Sequence, residues 1–289
     1  MQKVFLNDNI VDMDKAQVSV TDAGLLYGMG LFETMRACNG VVFALDNHLE
    51  RLFAGAKNLS INITCNREYV KEAVCKTLQA SSFKEARLRL TVTNGSASAE
   101  EEQPKPTLFI TAAQFKPYPQ EYYQKGVMVV LSPYKQNASD PTCGYKTTSY
   151  MSRMLGLKFA HRSRAAEALW FTTDNRLAEG CISNVFIVKD SALFTPATNT
   201  PVLPGIARKT VIELAAGSAM RCSEKDLNIN DLLDAEEVFL TNVIMQVMPV
   251  VKVEKHDIGD GKVGPVAKEL QKRFDDFVRK SCGVEDENK

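Results

Sequence analysis

The chain has 289 residues, 45% of them hydrophobic and 24% charged, and its 35 basic side chains balance 35 acidic ones. That length exceeds one small core and suits two domains of ordinary size. The balanced charge offers no field to draw a nucleic acid or an anionic membrane, so neither is expected as a partner.

In chain order, Lys3–Leu6 and Ile10–Met13 flank Asn7-Asp8-Asn9 and predict a hairpin. Gln17–Val20 reads as a short strand, and Asp22–Gly30 as a glycine-punctuated turn. Phe32–Ala37 and Val41–Ala44 flank Cys38-Asn39-Gly40, a second hairpin. Asp46 is the expected cap of a helix to Leu59, followed by a helix over Arg67–Leu78. Strands are predicted at Arg87–Thr93 and Thr107–Ala113, with the charged stretch Ser96–Lys105 an exposed loop between them. Phe115-Lys116-Pro117-Tyr118-Pro119 breaks the pattern, because paired prolines favour an extended connection. Beyond it come a strand at Val127–Leu131 and a helix over Ser149–Ser163 with Met151, Met154, Leu155 and Phe159 on one face. Strands follow at Ala168–Thr172, Arg176–Ala178, Ile182–Val188 and Ala192–Phe194, then a helix at Ile206–Ala216. Glu237–Leu240 and Val247–Val253 are strands, and a last helix runs from Pro265 to Lys280 with Val266, Leu270, Phe274 and Phe277 inward. Strands and helices mix without regular alternation and hairpins abound, so the fold class is α+β rather than doubly wound. The expected division is a small domain at 1–114, a linker at 115–126 and a larger domain at 127–289 that carries Lys146.

The seven cysteines (38, 65, 75, 143, 181, 222 and 282) form no C-x-x-C pair, and the three histidines lie far apart, so no metal site is expected. Such cysteines suit small buried positions in a reducing compartment. The opening MQKVFLNDNIVDMD lacks the apolar core of a signal peptide, and no run nears the roughly 20 apolar residues of a membrane helix. A cytoplasmic protein is expected.

The chemistry concentrates between Gly144 and Asn184. Lys146 stands before a helix, where a partly desolvated amine can attack a carbonyl. Tyr150, one helical turn on, can face the same site. Glu179, between Ala178 and Gly180 at the edge of an apolar run, can keep a pyridine nitrogen protonated and so make the ring an electron sink. Gly205-Ile206-Ala207-Arg208 opens a helix whose free N–H groups suit a phosphate, and Arg51 can add a charged fork. Taken singly, each has a commoner structural reading: a loop lysine, a packing tyrosine, a turn glutamate, a Pro-Gly helix start, a solvated arginine. Gly24, Gly28 and Gly30 lack the third glycine and the strand-to-helix setting of a dinucleotide site.

Together these residues resemble the class IV aminotransferases, the fold-type IV pyridoxal-phosphate enzymes that include branched-chain and D-amino-acid aminotransferases and aminodeoxychorismate lyase. The resemblance spans nearly the whole chain: Tyr27–Thr34, His48-Leu49-Glu50-Arg51-Leu52, the segment around Lys146, Glu179-Gly180 with Ser183–Phe186, Pro204–Arg208, and Thr241-Asn242-Val243. It implies the D-amino-acid aminotransferase-like architecture, pyridoxal 5'-phosphate as cofactor, and a homodimer whose neighbouring subunit completes the pocket. It also implies that Lys146 bonds the cofactor covalently and moves the proton, that Glu179 binds the ring nitrogen, and that Arg51 holds the phosphate with the N–H groups of Ile206 and Ala207. Tyr150 and Asn242 would adjoin the cofactor, and Tyr27, Phe32 and Arg89 the substrate. Asn94 stands where D-amino-acid enzymes carry an arginine. Thr34 and Val243 depart from the branched-chain pattern, and Phe32-Glu33-Thr34 and Leu240-Thr241-Asn242 are similar to the lyases. Arg89 matches a branched-chain pocket arginine. The expected activity is transfer of an amino group between an aliphatic, branched-chain-like amino acid and a 2-oxo acid. The alternatives are pyruvate elimination from aminodeoxychorismate and a non-catalytic binding protein.

Overall fold

Two hairpins seed the first half of the chain. In this computed structural model, which describes residues 2–97, 105–218 and 220–284, β1 (Lys3–Leu6) and β2 (Asn9–Asp12) meet across a turn in which Asn7 is left-handed, at φ 52°. The turn at Asn39-Gly40 joins β3 (Gly30–Cys38) to β4 (Val41–Val42). With β5 (Ala86–Thr93) and β6 (Leu108–Gln114) they form an antiparallel sheet in the order β2-β1-β6-β5-β3-β4. The sheet belongs to one of two compact bodies, composed of Met1–Lys116, Tyr145–Tyr150 and Val278–Lys289. The segment bearing Lys146 is therefore grouped with the N-terminal strands. The expected loop Ser96–Lys105 falls outside the described residues over 98–104.

Helices α2 (Leu45–Asn58) and α3 (Arg67–Ser81) cover one face of this sheet, burying Leu31, Met35, Leu88, Leu90, Val92 and Ile110. Register assigns the faces. Leu31, Glu33 and Met35 oppose Val92, Leu90 and Leu88, while Phe32, Thr34 and Arg36 oppose Thr91, Arg89 and Arg87 on the other face. Glu33 therefore points toward the helices and is buried among apolar neighbours. The start of α2 corrects an expectation. Its N-cap is Ala44, left-handed at φ 51°, and Asp46 lies inside the first turn, where it pairs with Lys71 at 3.0 Å and offsets the helix dipole. Gln17–Val20 joins no ladder among the described residues, and Val20 is exposed. The turn after it forms a short helix α1 (Ala23–Leu26), capped by the Asp22 carboxylate.

The second body comprises Pro117–Gly144 and Met151–Phe277. The connection after Pro119 holds a helix, α4 (Gln120–Lys125), leading into β7 (Val127–Gln136). There follow α5 (Met151–Arg162), β8 (Glu167–Thr172), β9 (Leu177–Gly180), β10 (Asn184–Lys189), β11 (Ala192–Pro196), α6 (Ile206–Ala216), β12 (Cys222–Lys225) and α7 (Ile229–Leu233). The chain ends with β13 (Glu237–Asn242), β14 (Gln246–Val253), β15 (His256–Asp257) and α8 (Pro265–Ser281). The strands run in the order β12-β11-β10-β13-β14-β7-β8-β9, with β15 beside β14. The β11/β12, β14/β7 and β7/β8 pairs are parallel and the rest antiparallel. Five inter-strand steps separate β10 from β9, about 24 Å in a flat sheet. Yet only Cys181-Ile182-Ser183 joins them, a reach of at most about 14 Å. The sheet must curl, which brings Glu179 and Asn184 onto neighbouring chain segments.

Packing decides which way two helix faces turn, and on α8 the stripe differs from expectation. On α5 the buried residues are Gly156 and Ala160, whereas Met151, Met154, Leu155 and Phe159 are exposed. A Cβ at Gly156 would lie 3.0 Å from Cys181 Sγ and 3.1 Å from the Trp170 ring, so the small residue lets the helix sit close to β8. On α8 the inward stripe is Ala267, Leu270, Phe274 and Val278, while Phe277 is exposed.

Candidate active site

The lysine segment is held as an added strand. Phe32 N–H donates to the Lys146 carbonyl at 2.9 Å, Thr148 N–H donates to the Gly30 carbonyl at 2.8 Å, and Leu31 bridges Thr147. The backbone at Lys146 is thus fixed against β3 even though the residue lies between regular elements. Its Nζ stands 4.6 Å from the Phe32 ring centre and 5.9 Å from that of Tyr150. The two rings meet edge to face at 5.3 Å, and the Arg89 guanidinium lies over Phe32 at 3.8 Å. Lys146, Tyr150, Phe32 and Arg89 are therefore brought together: an amine and a guanidinium on aromatic walls, where cation–π attraction holds both. Tyr27 caps α1 at its C-terminus, is 67% exposed and makes no ring contact with this cluster.

Arg51 faces Glu33. Its Nε donates to Glu33 Oε1 at 2.8 Å and its Nη2 to Oε2, while His48 Nδ1 contacts Oε2 at 2.7 Å. Burial pushes the Glu33 carboxyl up, but the Arg51 charge and the His48 hydrogen bond outweigh it and hold the group at about 2. Burial also lowers the pKa of His48, against the pull of Glu33, so a neutral ring donates from Nδ1 and leaves Nε2 buried with no hydrogen-bond partner among the described residues. Sequence reasoning missed Glu33. Its signal was a lone charge in Leu31-Phe32-Glu33-Thr34-Met35, with His48 and Arg51 three apart on one helix face.

In the second body, Glu179 is buried at the end of β9. Its Oε1 accepts from Arg153 Nη2 at 2.5 Å and its Oε2 from Leu203 N–H at 3.0 Å. Arg153 also donates to the Gly180 carbonyl at 3.2 Å and lies over the Trp170 ring at 4.6 Å. Behind them on β8, Glu167 accepts from Ile182 N–H at 2.7 Å and Ser183 Oγ at 2.9 Å, and burial raises its carboxyl to about 7. Neither Arg153 nor Glu167 was singled out from sequence. An arginine in the first turn of a helix is an ordinary surface feature until Trp170 is placed beneath it.

Helix α6 begins as expected. Gly205 is its N-cap with no capping side chain, and the first-turn N–H groups of Ile206 and Ala207 have no intrahelical acceptor. A Cβ at Gly205 would overlap Asn184 Oδ1, and Asn184 Nδ2 donates to the Leu203 carbonyl at 2.9 Å. Opposite Asn184 on β13 stands Thr241, whose hydroxyl is buried with no hydrogen-bond partner among the described residues. Arg208, by contrast, is tied to Glu224 at 2.7 Å and to the Pro196 carbonyl at 2.9 Å. Asn242 makes three side-chain hydrogen bonds of its own. Its Oδ1 accepts from the N–H groups of Ile244 and Met245, each at 2.9 Å, and its Nδ2 donates to the Ile182 carbonyl at 3.1 Å. The side chain builds the β13–β14 turn, and beside it stands the Thr241 hydroxyl. No group of metal-binding side chains occurs among the described residues, and no helix among them is long and apolar enough to cross a membrane.

One body carries an amine on a fixed backbone. The other carries a buried carboxylate at a strand end and, separately, a helix N-terminus with no capping side chain, near a buried hydroxyl with no hydrogen-bond partner among the described residues. Each is a group of the kind that binds, respectively, an aldehyde, a protonated ring nitrogen and a phosphate. Residues 30–253 match the family amino-transferase class IV. The chain belongs to that family and is a pyridoxal-phosphate-dependent transaminase. It is 33% identical over 285 residues, 98% of each chain, to a Methanocaldococcus jannaschii protein that carries the provisional name branched-chain-amino-acid aminotransferase. The Escherichia coli branched-chain amino acid aminotransferase structure superposes with a TM-score of 0.91 at 26% identity, covering 99% of this chain and 97% of that one. The 4-amino-4-deoxychorismate lyase of Pseudomonas aeruginosa gives 0.85 at 25%, covering 94% and 98%. The α+β architecture with a curled sheet is that of fold-type IV enzymes.

Proposed function

We propose that this enzyme moves the amino group between an aliphatic, branched-chain-like amino acid and a 2-oxo acid. The observation that carries this reading is the cluster at the first sheet: Arg89 over the Phe32 ring at 3.8 Å, beside Tyr150 and Lys146. Its aromatic walls suit an aliphatic side chain, and its one guanidinium suits a carboxylate. Bound pyridoxal phosphate supplies a carbonyl for the amine and a ring that accepts electrons from the substrate carbon. Lys146 Nζ would hold the cofactor's aldehyde and would serve as the base for the proton on the substrate carbon. Glu179 would keep the ring nitrogen protonated. Arg51 and the Ile206 and Ala207 N–H groups would hold the phosphate, with Thr241 Oγ as a further donor. The pairing with Glu33 presents Arg51 in one orientation. Tyr27, through its exposure, is open to substrate or to a second copy of the chain.

The exposed apolar stripe of α5, with Met151 at 73% exposure, supports a homodimer. All seven cysteines are free thiols, which supports a reducing, cytoplasmic setting.

An amino-donor screen with both enantiomers and 2-oxoglutarate tests the substrate reading; amine exchange from leucine or valine is expected. The likeness to the lyase structure, with Phe32-Glu33-Thr34, favours a second reading, elimination of pyruvate from aminodeoxychorismate. Release of pyruvate and 4-aminobenzoate with no amine exchange between leucine and 2-oxoglutarate would establish the second and refute the first.

A further inference from the structure

The carboxylate assigned to the ring nitrogen is not a bare anion. Arg153 contacts Glu179 Oε1 at 2.5 Å, while Leu203 N–H binds the other oxygen at 3.0 Å. The arginine is itself built in. Its guanidinium lies over Trp170 at 4.6 Å and donates to the Gly180 carbonyl at 3.2 Å, and Trp170 Nε1 donates to Cys181 Sγ at 3.3 Å. Gly156, one turn further along α5, admits the helix to this close approach. These contacts fix the guanidinium on the carboxylate it faces.

We propose that Arg153 is a positioning residue that acts as an internal counter-ion to Glu179, so that the ring nitrogen meets a compensated carboxylate rather than a full negative charge. The proposal rests on the reading of Glu179 as the nitrogen's partner. A lone buried carboxylate would hold the ring proton firmly and give the strongest electron sink. A guanidinium in contact with the same carboxylate competes for its charge and loosens that proton, because charges a few ångströms apart in a buried site shift a pKa by one unit or more. The result is a milder sink at the substrate carbon. The other titratable groups near the pair are Glu167 on β8, Cys181 after β9 and Cys143 before α5. Burial raises the pKa of all three, so they favour their neutral forms and none supplies a replacement cation.

The test uses holoenzyme loaded with pyridoxal phosphate carrying nitrogen-15 in the ring, and follows that nitrogen's NMR shift against pH. In Arg153→Gln, and in Arg153→Met, which keeps the stem on Trp170 should Gln misfold, the ring nitrogen should keep its proton to a pH higher by about one unit or more. Arg153→Lys, which restores the charge, should titrate near the wild type. An unshifted or lowered titration in the charge-removing variants overturns the proposal, as does a Lys variant that behaves like Gln. A strut that merely packs α5 would change stability in all three and leave the nitrogen where it was. Glu179→Gln tests the underlying reading separately: the nitrogen should lose its proton at lower pH than in the wild type. If that variant leaves the titration unmoved, the Glu179 assignment itself falls.

Discussion

Glu167→Gln should make the protein's stability less dependent on pH. In the unfolded chain this carboxyl ionises near 4.5, whereas in the fold burial holds its proton to about 7. Between those values the folded state binds one more proton than the unfolded state, so stability falls as pH rises. Below 4.5 both states are protonated and the penalty is absent; above 7 it is complete. About 2.5 pH units at about 1.4 kcal/mol each give about 3 kcal/mol. Gln mimics the protonated acid: its oxygen can accept from Ile182 N–H and its NH2 can donate to Ser183 Oγ. Urea unfolding of wild type and variant at pH 4, 5, 6, 7 and 8 measures the difference, in which all shared titrations cancel. The variant should match the wild type within about 1 kcal/mol at the acid end and exceed it by about 3 kcal/mol at the alkaline end. A stability difference that stays constant across this range would refute the reasoning.

Glu33→Gln removes the buried carboxylate that Arg51 and His48 share and should cost about 3 kcal/mol at pH 7 by urea unfolding. The loss of stability as pH falls from 4.5 towards 2 should be smaller in the variant than in the wild type, because the contribution of Glu33 is gone. Gly205→Ala places a methyl on Asn184 Oδ1 and should destabilise by about 1–3 kcal/mol. By equilibrium dialysis it should also weaken pyridoxal phosphate more than unphosphorylated pyridoxal. Lys146→Ala should abolish the adduct that borohydride fixes on the wild type, and mass spectrometry of the reduced protein checks this. Met151→Lys combined with Leu155→Lys, which charges the exposed stripe of α5, should halve the mass seen by sedimentation.

The sequence was most legible where one local signal dominates. Pro204-Gly205 starts α6 and the helix runs over Ile206–Ala216 as predicted, because helix start signals are local. The turn at Asn39-Gly40 is as clear, since Asn and Gly accept the left-handed backbone it needs. Faces were less legible. On α8, Leu270 and Phe274 were identified, but the stripe extends through Ala267 and Val278 rather than Val266 and Phe277. Both choices satisfy helical spacing, and only the packed sheet decides between them. On α5, spacing placed Met151, Met154, Leu155 and Phe159 on one face but did not say which way it turns; the close approach to Trp170 selects Gly156 and Ala160 for the inside and leaves that face outside. Among the site residues, Lys146, Tyr150, Phe32 and Arg89 do come together, although 56 residues separate Arg89 from the segment that begins at Tyr145. The partners of Arg51 and Glu179 stayed hidden because Glu33 and Arg153 are ordinary residues in their own stretches. Their roles exist only once strand register and helix contact are set.

The Cys181-Ile182-Ser183 link sets an unusual constraint on how this chain can vary in length. Gly180 N–H donates to the Ser183 carbonyl at 2.8 Å, and Glu167 holds the same link by Ile182 N–H and Ser183 Oγ. An extra residue here has nowhere to go without breaking one of those bonds, and a missing residue shortens a span that already bends the sheet. The exposed connection Asn137–Thr142 is held by local turn bonds, such as Thr142 N–H to the Asp140 carboxylate at 2.8 Å, rather than by a buried side chain from another strand. Insertions and deletions should therefore be sorted sharply along the chain: tolerated at the loop tips, and rejected at three residues whose number, more than their identity, keeps Glu179 and Asn184 in step.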